Sequence, residues 1–184
     1  MRSLFIVILS LILIASCKKN EVIPKPKGYL SLNYPQKAYH ELTLERPYSF
    51  EVPQNTVIKK LPKDWLKVIY PNLKASIDIT YRPVDNNLRE LLIEAEKLVF
   101  EHAIKAEQIA SNDFVNKNTR VFGKMYDITG NSASQVQFHV TDSTKHFLKG
   151  SLFFYSKPNY DSILPAVDYI KKDMIRMIES LQWK

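Results

Sequence analysis

The chain has 184 residues, with 26 lysines and arginines against 19 aspartates and glutamates, one cysteine and only four glycines. That length makes one domain of ordinary size plus short extensions, large enough to bury a core without disulfide staples. The positive excess is scattered along the sequence rather than gathered with aromatics on one face. This argues against a nucleic-acid reader and for a solvated basic surface with some attraction to anionic lipid.

At the N-terminus Arg2 precedes an apolar run from Leu4 to Ile14, and small Ala15 and Ser16 lead to Cys17. This is the three-part layout of a secretory signal over residues 1–16. A membrane-spanning helix needs about 20 apolar residues, and Lys18, Lys19, Asn20 and Glu21 interrupt this run too soon. The string Ile14-Ala15-Ser16-Cys17 resembles a bacterial lipobox, which makes Cys17 the diacylglyceryl- and N-acyl-modified first residue of the mature protein. An ordinary cleaved signal would instead leave a free thiol in an oxidising compartment. Cys17 and residues 18–27 then form a tether, in which Pro24 and Pro26 favour extended backbone. At about 3.1 Å per residue it reaches roughly 30 Å from the membrane.

Residues 28–184 read as a single α+β domain. Tyr29–Tyr34, Tyr48–Val52 and Trp65–Tyr70 are short aromatic and β-branched runs, each closed by a proline. From Leu73 to Tyr81 apolar residues alternate with Lys74, Ser76, Asp78 and Thr80, a half-buried strand. Asn87 to about Ala110 has helical spacing, with Leu88, Leu91, Leu92, Ala95, Leu98, Val99, His102, Ala106 and Ile109 on one stripe and a capping-box pattern at Asn87 and Glu90. Three strands follow, Thr119–Thr129, Ser134–Thr141 and His146–Ser156, separated by Gly130-Asn131 and the Asp142–Lys145 turn. A last helix capped by Asp161 or Ser162 runs through Leu181, its core stripe Val167, Ile170, Met174, Met177, Ile178 and Leu181. Two long helices therefore pack on an antiparallel sheet, and the order resembles the PsbP and Mog1 type of domain.

A search for catalytic chemistry finds little. His40, His102, His139 and His146 lack metal-ligand spacing, although His139 and His146 flank one turn on adjacent strands. Ser134, His139 and Asp142 make a triad only on paper, because Ser134 and His139 differ in strand parity and no nucleophile elbow is present. Neither a metal nor an enzymatic activity is expected, and no cofactor beyond the lipid on Cys17. The unusual feature is a row of amides and hydroxyls at Gly130–His139. Asn131, Gln135, Gln137 and His139, with Tyr155 and Tyr160 nearby, form either a partner-binding surface or a buried polar layer bonded under the terminal helix.

Several strings carry a family resemblance: Pro24-Lys25-Pro26-Lys27-Gly28-Tyr29-Leu30, Asn33-Tyr34-Pro35, Thr80-Tyr81-Arg82-Pro83-Val84 with Asn86-Asn87-Leu88, and, the longest, Gly130-Asn131 through Ser134-Gln135 to Thr141–Phe147, then Lys157–Ser162 to the end. With the lipobox, they resemble the gliding-motility lipoprotein GldD family of Bacteroidetes over nearly the whole chain. The resemblance implies a non-enzymatic, membrane-anchored assembly or scaffold component of the gliding and type IX secretion machinery, with Cys17 as its lipidation site. Implied partners are the membrane and other envelope proteins, with neither nucleic acid nor a small-molecule substrate. Outer-face lipoproteins of this phylum often carry clustered acids after the cysteine; Lys18-Lys19-Asn20-Glu21 lacks them, which places the domain at the outer membrane facing the periplasm. The competing expectation is a small amphiphile or glycan held between sheet and helix, against the tyrosines and the Gln135–Gln137 row.

Overall fold

The computed structural model describes residues 34–102, 106–155 and 160–184. Cys17, the signal, the tether, residues 29–33 of the first predicted strand and residues 157–159 lie outside them.

Proline-punctuated runs near the N-terminus give short strands: β1 (Tyr39–Glu41), β2 (Tyr48–Ser49), β3 (Glu51–Pro53), β4 (Val57–Lys60) and β5 (Leu66–Tyr70). Pro71–Leu73 forms one turn of 3₁₀ helix, and Lys74 at φ 48° redirects the chain. The alternating strand therefore begins at Ala75 rather than Leu73, as β6 (Ala75–Pro83). Helix α1 (Leu88–His102) follows, then β7 (Ala106–Asn116), β8 (Val121–Gly130), β9 (Val136–Thr141), β10 (His146–Phe154), helix α2 (Tyr160–Glu179) and β11 (Gln182–Trp183). Seven strands make one antiparallel sheet in the order β4-β5-β6-β10-β9-β8-β7, while β1–β3 and β2–β11 form small separate ladders. The α+β class holds.

Two expectations change. The first helix ends at His102, and Ala106–Ala110 belong to β7, a fourth strand in the second half. Ala106 and Ile109 continue the helical spacing, but ten residues of this segment pair with β8 and tertiary pairing overrides propensity. Asn87 also does not cap as expected: its Oδ1 accepts the Asp85 N–H at 2.9 Å, behind the helix.

The helices lie on opposite faces of the sheet. Ile163, Val167, Ile170, Met174, Met177, Ile178 and Leu181 of α2 pack with Val136, Phe138, Val140, Leu148 and Leu152 in the main core. Gly150 leaves the space that the Phe138 ring fills; a Cβ there would stand 2.2 Å from Phe138 Cε1. Leu91 and Ala95 of α1 pack on Phe147, and Val99 packs with Tyr126 and Ile128. The sheet is covered on both sides, so side chains of either strand parity can be buried.

Candidate functional site

The polar row is the buried layer of the two alternatives. Gln135, Gln137 and His139 are only 2–3% exposed, and Gln137 and His139 belong to the strand parity that faces α1 rather than the terminal helix α2. Gln135 Nε2 donates to the Ser132 carbonyl at 2.8 Å, the Ser132 hydroxyl to the Ser134 carbonyl at 2.7 Å, and the Ser151 hydroxyl to Gln137 Oε1 at 3.4 Å. His139 lies between Tyr126 and Phe147, with ring centroids 5.8 and 5.9 Å away. Asn131 and Tyr160 meet at the start of α2, where Asn131 Oδ1 accepts the Tyr160 N–H at 3.1 Å. The helix thus begins at Tyr160, ahead of the Asp161 or Ser162 start expected from the sequence. Tyr155 stands apart and exposed.

The paper triad is dispersed. Ser134 donates to the Val136 carbonyl, whereas the Asp142 carboxylate organises its own turn by accepting from the Thr144 hydroxyl and the N–H groups of Thr144, Lys145 and His146. Burial pushes the Asp142 carboxyl up, but these four bonds outweigh it and hold it well below the usual carboxylate range. His139 and His146 lie on opposite faces of the sheet, because Phe147, not His146, pairs opposite Thr141. They cannot share a metal. Among the described residues no group of three or more histidines, cysteines or acids could hold one.

Two side-chain assemblies are not evident from the sequence. At the first, Asp173 of α2 is completely buried and accepts from the Lys37 ammonium, the Tyr39 hydroxyl at 2.7 Å and the Tyr70 hydroxyl at 3.1 Å. Lys37 also donates to the Tyr169 carbonyl, and Tyr34 stacks on the Tyr169 ring at 4.8 Å. Residues 34–39 thus run alongside α2 from Tyr169 toward Arg176, whose guanidinium lies over Tyr39. The described chain therefore begins beside the middle of α2. A helical signal was available: Asp173 falls between Ile170 and Met174 on the apolar stripe, where an acid needs buried donors.

At the second, just beyond the C-terminal end of α2, aromatic side chains link the strand ends. Trp65 Nε1 donates to the Tyr81 carbonyl at 2.8 Å, Tyr81 Oη lies 2.9 Å from His146 Nδ1, and the His146 ring stacks on Trp183 at 5.2 Å. Trp183 Nε1 donates to the Arg120 carbonyl at 3.1 Å. Burial raises Tyr81 and lowers His146, which favours a neutral phenol beside a neutral imidazole. Beside them Lys63 and Asp64 both take positive φ, 59° and 60°, in the β4–β5 turn. Arg46 bonds the Asp64 carboxylate at 2.9 Å and the Tyr48 hydroxyl its carbonyl at 2.6 Å, offsetting the cost of that backbone. The turn and β6 enclose an open cleft lined by Pro47, Lys63, Trp65, Tyr81, Arg82 and Pro83. Trp183→Ala is expected to lower stability by about 2 kcal/mol, or roughly 4–8 °C in Tm. An unchanged melting curve would show that the C-terminal strand adds nothing to this end.

No helix among the described residues is long and apolar enough to cross a membrane. No curated relative matches the chain. A family model described as gliding motility lipoprotein GldD matches residues 19–183, starting two residues after Cys17. The chain belongs to the GldD family of gliding motility lipoproteins.

Proposed function

We propose that this lipoprotein is a non-enzymatic assembly component of the gliding and type IX secretion machinery, tethered through acylated Cys17 after loss of residues 1–16. Its domain faces the periplasm from the outer membrane and acts by protein contact. The observation that carries the reading is the aromatic cluster at the strand ends, where half-buried Trp65 and Trp183 sit with Tyr81 and His146 beside an open cleft that Arg82 also lines. Aromatics and arginines are the residue types that dominate protein interfaces. The order β6, α1, β7 to β10, α2 also suits a PsbP and Mog1 type of arrangement, with one strand more than the sequence suggests.

The alternative, an amphiphile or glycan held against the Gln135–Gln137 row, gains less support. Both side chains are buried. The cavity between α1 and the sheet is about 90 Å³ and is lined by other residues, a space for about three water molecules.

Cys17→Ala is expected to abolish incorporation of labelled palmitate, release the protein from the envelope fraction and stop colony spreading. If the variant still carries palmitate and sediments with membranes, the lipid assignment is wrong. If a deletion strain spreads normally and secretes its usual proteins, the scaffold assignment fails.

A further inference from the structure

We propose that the pocket between α1 and the sheet, walled by Lys149, Arg82 and Thr80, receives a single aspartate or glutamate carboxylate of a partner polypeptide, whose neighbouring residues lie along Trp65 and Pro83. The inference rests on the protein-contact reading above and names the chemistry of the contact.

Lys149 lies on β10 opposite Thr80 of β6 and His139 of β9, on the face that α1 covers. Among the described residues no carboxylate is within ion-pair distance of its ammonium. The acid lining the pocket, Glu94 of α1, is bonded at 3.3 Å to Arg82. Burial pushes the Lys149 ammonium below the ordinary lysine range; Glu94 opposes that shift and Arg82 reinforces it. The cation is thus desolvated without full compensation, the condition an incoming anion relieves.

Charge and size select the anion. Two cations and one carboxylate leave the pocket one positive charge, which matches a carboxylate better than a doubly charged phosphate. Its volume of about 90 Å³ accepts a carboxymethyl group, and Leu91, Ala95 and Phe147 form a wall suited to the methylenes of an acidic side chain. Trp65 and Arg82 line both this pocket and the outer cleft with Pro47, Tyr81 and Pro83, so a chain entering the pocket continues along that cleft.

The test uses the acylated mature protein in detergent micelles, with NMR of the lysine ammonium groups and of the Leu91 and Ala95 methyls. N-acetylglutamate N-methylamide is expected to shift the Lys149, Leu91 and Ala95 signals saturably, and the glutamine analogue is not. Lys149→Met is expected to weaken binding about tenfold or more and Glu94→Gln, which removes the competing acid, to tighten it about threefold. The Glu94→Gln arm keeps the test decisive if Lys149→Met does not fold. Equal response to the glutamine analogue, stronger response to glycerol phosphate, or unchanged affinity in Glu94→Gln would overturn the proposal. These outcomes are separate from the Cys17→Ala result: loss of spreading there with no carboxylate binding here would remove only this site.

Discussion

Replacing Asp173 with alanine is expected to cost the fold about 3–5 kcal/mol, a drop of roughly 6–20 °C in Tm for a domain of this size. Asp173 is completely buried, and its carboxylate is the acceptor for Lys37, Tyr39 and Tyr70 together. Truncation removes all three bonds and leaves an ammonium and two phenols facing an apolar helix. Lys37→Met should cost less, because the Lys37 side chain is 23% exposed and two phenols still serve the carboxylate. Amide exchange gives the local readout: protection at Tyr39–Glu41 should fall in the alanine variant before the central sheet is affected. A melting temperature within about 3 °C of the parent, with Tyr39–Glu41 still protected, would refute this role for Asp173.

Acid should weaken the protein well before its carboxylates titrate. Burial beneath α1 lowers the His139 imidazole to about 4, with Lys124 and Lys149 acting in the same direction and Glu96 opposing. The unfolded chain takes up this proton near pH 6.5 and the folded chain only near pH 4, so between those values the unfolded state binds more protons. Stability is therefore complete above pH 6.5 and falls as pH drops to 4, by about 3 kcal/mol from this residue. His146, lowered by burial in the same direction, adds to the loss. Asp142, also depressed, contributes a separate decline below about pH 4. His139→Phe keeps an aromatic between Tyr126 and Phe147 while removing the titration. Urea unfolding at pH 7, 5.5 and 4.5 should show a much flatter dependence in that variant; parallel curves would acquit His139.

Much of the α2-side core is legible in the sequence because one-sided burial leaves a periodic trace. Val167, Ile170, Met174, Met177, Ile178 and Leu181 are all buried on α2 and beyond it, and Ala75, Ile77, Ile79 and Tyr81 are buried on β6. The opposite face is harder to read. Gln137 and His139 have the parity assigned to them, but their burial comes from a second helix layer that alternation along β9 cannot reveal. Strand β7 is missed for a related reason: only Ala106, Ile109, Phe114 and Asn116 are half-buried, so an edge strand of helix-forming residues leaves little period-two signal. The two side-chain assemblies are less legible still. Asp173 meets Lys37 across 136 positions, and Trp183 meets Arg120 across 63. Lys149 reads as an ordinary outer-face lysine until α1 is placed over it.

The two outer strands of the sheet matter for a protein confined to a membrane plane. Confinement makes neighbours meet repeatedly, and unpaired strand edges invite stacking into ribbons. At one border β4 presents exposed Lys59 and Lys60; at the other β7 presents exposed Glu107 and Asp113 among polar neighbours. Two copies meeting by the same border encounter like charge. Crowding in the bilayer can therefore rise without these molecules zipping together through matching edges.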